Sequence, residues 1–133
     1  HTHNHLNGWK TKDREYIANI REAAQFIDSD LFRPPYGRIT RFQAKAISDT
    51  HQYKANGFKV IMWDVLSGDF DNKLSPEDCL LNVINNSTNG SIIVFHDSEK
   101  AYMRMRYALP GILEHFSKKG FRFEALNSSL LNK

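Results

Sequence analysis

Short apolar runs alternate along this chain with stretches of helical periodicity. Residues 58–63 and 91–95 are nearly all apolar, which is typical of strands that are covered on both faces. Tyr16, Ile20 and Ala24 recur at helical spacing, and similar patterns separate the later runs. Strands that alternate with helices favour parallel βα units, so we predict an α/β fold. The predicted helices cover 13–27, 40–50, 75–89 and a region around 108–119, and the predicted strands cover 31–33, 58–63, 91–95 and 121–126.

Local signals define the limits of these elements. Residues 64–74 are predicted to form a polar loop, and Ser75 after it is a strong helix N-cap. Cys79 falls inside that helix and is predicted to be a small buried residue. Pro110 interrupts the last helical pattern, so this helix is predicted to begin near it or to kink there, and Gly120 is expected to end it. The second and third helices are predicted to turn inward Phe42, Ala46, Ile47, Leu80, Leu81, Val83 and Ile84.

Size and composition exclude several classes of protein. The chain has 133 residues, close to the common size of one domain, so we predict a single domain over 1–133. The net charge of +3 comes from basic residues interspersed with acidic ones, so no basic stripe suits a nucleic acid. Cys79 is the only cysteine, so neither an internal disulfide nor a cysteine-based zinc site is expected. No run approaches the ~20 apolar residues of a membrane span.

Residues with catalytic chemistry follow the ends of the predicted strands. Arg33 ends the first strand, Asp69 lies beyond the second, and His96 directly follows the third. In parallel sheets and barrels, active sites form at the carboxyl edge of the strands. We therefore expect these residues, which come from separate segments, to meet at one rim.

The first five residues, HTHNH, place His1 and His5 four positions apart. Neutral imidazole is a nitrogen ligand that suits zinc and the neighbouring transition metals. Two histidines are too few for a catalytic zinc, which usually has three protein ligands and a water. His3 points differently from its neighbours in most geometries and is the weaker candidate. A disordered histidine-rich terminus or the remnant of a tag is the alternative.

The other candidate residues also have structural interpretations. Residues 33–37, RPPYG, form a stiff loop that can orient Arg33 toward a carboxylate, or they can end a strand with a solvated arginine. Asp69 can hold a histidine, or it can cap a turn. His96, at the rim of a buried strand, suits general acid–base catalysis, or it is a core histidine with satisfied hydrogen bonds.

Four motifs resemble those of the polysaccharide deacetylase family, the NodB-homology domain of carbohydrate esterase family 4. Residues 1–5 match the family's H-[ST]-x-x-H metal motif, and residues 33–37 match its R-x-P-Y-G motif. Residues 63–70, WDVLSGDF, resemble its aspartate–aromatic motif, with Asp69 and Phe70 where the family usually has Asp-Trp. Residues 94–96, VFH, resemble its L-x-H motif. The motifs occur in the family's order, and the resemblance covers essentially the whole chain.

The resemblance implies a distorted (β/α) barrel, here incomplete at its N-terminal side, and metal-dependent hydrolysis of N-acetyl or O-acetyl groups on a polysaccharide or oligosaccharide. His1 and His5 would bind a divalent metal, zinc first, with cobalt, manganese or nickel as alternatives. The metal would activate the attacking water. An extracytoplasmic location, that is periplasmic, cell-surface or secreted, follows from the substrate class.

The resemblance also assigns roles to the other motif residues. His96 would protonate the leaving amine or alkoxide, Asp69 would hold the tautomer of His96, and Arg33 would orient the catalytic base. The substrate-binding residues would be Tyr36, through a backbone N–H directed at the oxyanion, together with Pro35, Trp63, Phe70 and Val94, of which the last two would help line the pocket for the acetyl methyl group.

The chain also departs from the family's pattern. The first family motif, T-F-D-D-G, is absent, and no other Asp-Asp pair occurs. That motif supplies the catalytic base and a third metal ligand. Phe70 replaces the usual tryptophan, Val94 the usual leucine, and Leu66 a frequent aspartate. We expect the chain to be the C-terminal part of such a domain, with little activity alone, and to associate with the missing N-terminal segment or with itself.

Two other functions remain open at this point. One is a non-catalytic carbohydrate-binding domain of the same fold, in which the catalytic base has been lost. The other is a small structural or interaction module with an incidental histidine cluster. An Asp-Asp pair encoded shortly before His1 would favour the enzyme. The sequence identifies neither the acetylated glycan nor the metal.

Overall fold

A computed structural model describes residues 1–49, 57–127 and 129 of the chain. Its contacts form two compact units, one of His1–Met62 with Leu126–Lys133 and the other of Trp63–Ala125. Among the described residues, each unit contains two α-helices and one pair of parallel strands. The predicted α/β class and the parallel pairing are therefore confirmed, whereas the distorted barrel, incomplete at its N-terminal side, and the single domain over 1–133 stay predictions. Within the described residues, we find no helix with the length and apolar character that crossing a membrane requires.

The first unit packs two helices beside a short parallel sheet. Helix α1 covers Asp13–Ala24 and helix α2 covers Arg41–Ser48. Strand β1, Leu31–Phe32, pairs in parallel with strand β2, Lys59–Val60. The turn predicted at Asn56 and Gly57 falls partly outside the described residues. The buried core of this unit comprises Tyr16, Ile20, Phe32, Ile47 and Phe58.

Helix α2 shows how a long-range contact overrides the apolar pattern. Thr40 caps the helix through the backbone N–H of Gln43, and the Gln43 side chain accepts from the Thr40 N–H in return. Phe42, predicted to face inward, is 63% exposed, whereas Gln43 is fully buried. The Gln43 amide nitrogen donates to the Gly8 carbonyl and to Asp13 Oδ1, and each hydrogen bond is 2.9 Å long. A Cβ at Gly8 would lie 2.7 Å from Gln43 Oε1, so the glycine permits this approach.

Replacing Gln43 by alanine is expected to lower the free energy of unfolding by about 2–4 kcal/mol, because buried groups lose their hydrogen-bond partners. Urea unfolding followed by circular dichroism measures this loss. Phe42→Ala, one residue away and exposed, is the matched control and should change stability by less than about 0.5 kcal/mol. A larger loss for Phe42→Ala than for Gln43→Ala would contradict the assignment of the buried side chain.

The second unit packs two helices beside another short parallel sheet. Strand β3, Val65–Leu66, pairs in parallel with strand β4, Ile93–Val94. Helix α3 covers Pro76–Asn86, and helix α4 covers Glu99–Lys118. Ser75 caps α3 through the N–H of Asp78, as predicted. The core of the unit comprises Val65, Cys79, Val83, Ala108, Ile112 and Phe116, so the predicted burial of Cys79 is confirmed.

Helix α4 begins well before Pro110, so the predicted start near this proline was wrong, while the alternative of a kink there stays a prediction. The helix begins at Glu99 and continues through Pro110 to Lys118. Proline removes one backbone hydrogen bond, but buried residues on both sides of it hold the helix against the core. Gly111 assists because a Cβ there would lie only 3.1 Å from Leu80 Cδ1 of α3. The glycine therefore permits a close approach of α3 and α4 beside Pro110.

The structure differs from the sequence prediction in the position and length of some strands and in the burial of some residues. Residues 64–74 contain β3, which was predicted as loop, and the pairing within 58–63 is limited to β2, with Met62 40% exposed. The described residues 121–126 form no strand. Gly120, at φ +83°, ends α4 as predicted, and the Phe121 N–H then bonds back to the Phe116 carbonyl. Leu81, predicted to be buried, is 52% exposed.

Candidate active site

The N-terminal loop of the first unit brings two imidazole rings together. The ring centroids of His1 and His5 lie 5.1 Å apart, with their planes at 90°. The loop closes on Thr2, whose carbonyl accepts the N–H of His5 and whose hydroxyl accepts the N–H of Leu6. His5 has a φ of +54°, a left-handed conformation that non-glycine residues rarely adopt and that tends to occur at functional sites.

The loop 33–37 lies against these histidines. The Arg33 carbonyl accepts a 2.6 Å hydrogen bond from His1 Nδ1. Tyr36, also left-handed at φ +59°, contacts His5 edge-to-face with ring centroids 4.8 Å apart. Pro35 is buried in the same turn. The first unit therefore gathers both predicted metal ligands and the predicted residues of the RPPYG loop.

Only some of the N–H donors of the Arg33 side chain have acceptors among the described residues. Its Nη2 donates to the Met62 carbonyl over 3.4 Å, whereas Nε is buried without a partner among the residues that the structure describes. Burial lowers the pKa of this guanidinium. A buried donor without an acceptor costs about 1–3 kcal/mol. Arg33 is thus suited to an additional acceptor, and a carboxylate would also offset the burial of its charge.

The histidine pair fits part of a metal site. Because His1 Nδ1 donates to a carbonyl, the neutral ring has its lone pair on Nε2, and such hydrogen bonds commonly orient metal-binding histidines. His3 is directed elsewhere, since its Nε2 lies 3.5 Å from Glu22 Oε1 and its ring packs near Phe26. In the described part of the chain, no group of three or more His, Cys, Asp or Glu side chains could hold a metal. A catalytic zinc usually has three protein ligands, so His1 and His5 as metal ligands stay a prediction.

The second unit contains a buried carboxylate that holds a histidine at two points. Asp69 is fully buried. Its Oδ1 accepts from His96 Nδ1 and its Oδ2 accepts from the His96 backbone N–H, and each hydrogen bond is 2.7 Å long. A carboxylate only accepts hydrogen bonds, so the proton of the neutral ring lies on Nδ1. The partly exposed ring, at 38% side-chain exposure, thus has Nε2 available for proton transfer.

The remaining predicted substrate-binding residues belong to the same unit. Phe70 packs edge-on against His96 with ring centroids 5.1 Å apart, and 38% of its surface is exposed. Val94 is buried in β4, two residues before His96, and Trp63 is half-buried at the start of the unit. The predicted residues thus form two groups, one in each unit, and their meeting at one rim stays a prediction.

Comparison with known proteins identifies relatives. The chain is 26% identical over 139 residues to a peptidoglycan-N-acetylglucosamine deacetylase of Bacillus cereus, with 100% of this chain and 62% of that protein covered. The crystal structure of the Bc1960 peptidoglycan N-acetylglucosamine deacetylase aligns with a TM-score of 0.76 at 28% identity, over 95% of this chain and 59% of that one. The chain is thus similar to polysaccharide deacetylases of carbohydrate esterase family 4. The family resemblance read from the four motifs is thereby confirmed.

The fold is shared more widely than the activity. A CE4 family pseudoenzyme from Bacillus anthracis, BA3943, aligns with a TM-score of 0.75 at 19% identity, over 92% of this chain and 42% of that one. This likeness shows a common fold alone. The chain spans about 60% of the length of the two deacetylases. No protein-family model matches the chain.

The structure reveals further residues around the family motifs that the sequence analysis missed. The Asn19 side chain of α1 accepts from the Asn4 N–H, and its carbonyl accepts from the His3 N–H, so α1 holds the histidine loop. In the second unit, the Asn82 amide nitrogen donates to the carbonyls of Leu66 and Ser67, just before Asp69. Such side-chain contacts join distant segments, and no local pattern predicts them. Only Thr2 had a sequence signal, as the second letter of the H-[ST]-x-x-H motif.

Proposed function

We propose that this chain is the larger part of a metal-dependent deacetylase domain that hydrolyses acetyl groups from an acetylated glycan. The observation that carries the proposal is the pair formed by Asp69 and His96, in which a fully buried carboxylate holds a partly exposed imidazole through two 2.7 Å hydrogen bonds. Two of the proteins named above, the Bacillus cereus deacetylase and Bc1960, are peptidoglycan N-acetylglucosamine deacetylases by name, and they support this reaction class.

The role of His96 follows from this geometry. Hydrolysis of an acetamide or acetate ester requires a proton for the departing amine or alkoxide. With Nδ1–H bonded to Asp69, His96 accepts and delivers that proton at Nε2. His96 therefore acts as the general acid, and Asp69 orients it.

The first unit would supply the groups on the acyl side of the reaction. His1 and His5 would hold a divalent metal, zinc being the first candidate, which when bound supplies Lewis-acid activation of water. Tyr36 lies against His5, and its backbone N–H is the proposed donor to the oxyanion. One such donor is worth about 3–4 kcal/mol of transition-state stabilisation.

Arg33 is proposed to orient a carboxylate base that is not among the described residues. Support comes from its buried Nε, for which those residues provide no acceptor. The two-histidine site likewise requires a further ligand, and an upstream Asp-Asp segment of the kind found in the family would supply both carboxylates. Peptidoglycan is the first substrate class to test, because both named deacetylases act on it by name. Activity on it would place the protein outside the cytoplasmic membrane.

Acetate release tests this proposal. The full-length product of the gene that encodes this chain is loaded with zinc and assayed on peptidoglycan fragments, chitin oligosaccharides and acetylated xylan. We expect acetate release that a chelator abolishes and zinc restores, and little or no release by residues 1–133 alone. No release from any substrate by the zinc-loaded full-length product would refute the enzymatic proposal. Fast turnover by the isolated chain would refute the requirement for additional carboxylates.

A non-catalytic glycan-binding domain is the second candidate. It is favoured by the two-histidine site, because no third ligand is present among the described residues. Isothermal titration of the full-length product with chitin oligosaccharides separates the two functions. Binding without acetate release at any zinc concentration would support the binding domain, whereas release with kcat reduced by changes at His96 supports the enzyme.

A further inference from the structure

A cationic side chain lies on the buried stripe of α4. Arg104 follows Ala101 by three residues and precedes Ala108 by four, and both alanines are fully buried. Residues at these spacings share one face of a helix. Arginine is rarely turned toward a core unless its donors are paired. Its place on this face therefore calls for a specific partner.

Arg104 has three hydrogen bonds, each of 2.7 Å. Its Nε donates to the backbone carbonyl of Asp69. Its Nη2 donates to Asn72 Oδ1 and to the carbonyl of Lys100, one turn earlier in its own helix. The planar guanidinium is thus anchored to α4 by one bond and holds the loop after β3 by the other two.

These bonds act on the residue that orients His96. The backbone carbonyl of Asp69 accepts from Arg104. The side-chain carboxylate of Asp69 accepts from Nδ1 and the backbone N–H of His96. Asp69 N–H also bonds to the buried Ser67 hydroxyl over 3.3 Å. Rotation of the Asp69 backbone would move the carboxylate away from at least one of its two bonds to His96. Arg104, which is fixed to α4 by its bond to the Lys100 carbonyl, opposes this rotation by holding the Asp69 carbonyl.

We propose that Arg104 is a positioning residue that fixes the tautomer and direction of His96 through the backbone of Asp69. Its three hydrogen bonds go to Asp69, Asn72 and Lys100 and not to His96. Its catalytic consequence rests on the function proposed above, whereas its effect on the His96 ring does not. The ring can therefore be observed in the isolated chain, independently of turnover.

The test uses Arg104→Ala, with Arg106→Ala as the matched control. Arg106 belongs to the same helix, is exposed, and lies over the Tyr102 ring at 5.9 Å. The readout is the ring ¹⁵N NMR spectrum of His96, which distinguishes an Nδ1–H from an Nε2–H ring. We expect a single Nδ1–H form in the wild type and in Arg106→Ala, and a mixture of tautomers in Arg104→Ala. In the acetate assay, kcat should fall about 10- to 100-fold in Arg104→Ala, with KM unchanged.

Asn72→Ala provides a second variant, should Arg104→Ala fail to fold. Asn72 is exposed, and its replacement removes one of the two acceptors of Arg104 Nη2, while the Lys100 carbonyl remains. It should shift the His96 tautomer in the same direction by a smaller amount. Unchanged His96 ring signals in a folded Arg104→Ala, or in Asn72→Ala when the former is unfolded, would overturn the proposal. Tautomer mixing without acetate release by the wild type would uphold the proposal and refute only the enzymatic function.

Discussion

Asp69→Asn is expected to lower kcat for acetate release by about 10⁴-fold in the full-length protein, and His96→Ala by about 10²- to 10⁴-fold. His96 presents two donors to Asp69, Nδ1–H and the backbone N–H. An asparagine has one oxygen acceptor, so one of these donors must face its NH₂ group. The ring then favours the Nε2–H tautomer, which cannot donate from Nδ1. Steady-state kinetics of acetate release would measure the effect.

Glu99→Gln is the matched control for this carboxylate-to-amide change. Glu99 is an exposed acid in the first turn of α4, three residues after His96. Its replacement should leave kcat within about twofold. Circular dichroism must show that Asp69→Asn is folded, because its side chain is fully buried. If folded Asp69→Asn retained wild-type kcat, the orienting role of Asp69 would be wrong, and wild-type kcat in His96→Ala would exclude the general-acid role of His96.

His1→Ala and His5→Ala are each expected to weaken zinc binding by at least about 100-fold. Changes to residues that merely orient metal ligands already cost about 10- to 100-fold. Removal of one ring from a two-histidine site takes away half of the ligands that the described chain supplies. Competition with a chromophoric zinc chelator measures the dissociation constant, and the isolated chain is sufficient for this experiment.

His3→Ala separates a specific site from the effect of a histidine-rich segment. His3 lies between the two proposed ligands in sequence, but its ring faces Glu22 and Phe26. Its replacement should change the zinc dissociation constant by less than about twofold. Equal affinity in the wild type, His1→Ala and His5→Ala would exclude this pair as the metal site. Equal losses in all three variants would indicate a nonspecific histidine cluster.

Local patterns predicted those parts of the fold that local interactions stabilise. The N-cap of α3 depends on Ser75 and Asp78, three residues apart, and the end of α4 depends on Gly120. Parallel pairing also followed from the alternation of strands and helices. By contrast, β3 is two residues long within a polar stretch, and its partner is β4, 28 residues away in register. A strand that short has no periodicity to recognise.

Burial in α2 and the strand predicted at 121–126 show the same limit. Gln43 is buried because Gly8 and Asp13, at least 30 positions away, meet its amide. An apolar pattern instead selects Phe42, which is exposed. Phe121 is an aromatic residue of the kind favoured in strands, but its ring packs on Phe116, with the two ring centroids 5.3 Å apart. In each case tertiary contacts outweighed the local preference.

The sequence by itself determined the chemistry of the candidate site, because its motifs record which side chains are present and in what order. It named His1, His5, Arg33, Asp69 and His96, and the family that the relatives support. Only the tertiary structure decided how these groups are held. The His1–Arg33 bond joins residues 32 positions apart, the His96–Asp69 bond 27, and the Arg104–Asp69 bond 35. Such bonds depend on the direction of each side chain after folding, which no local pattern encodes.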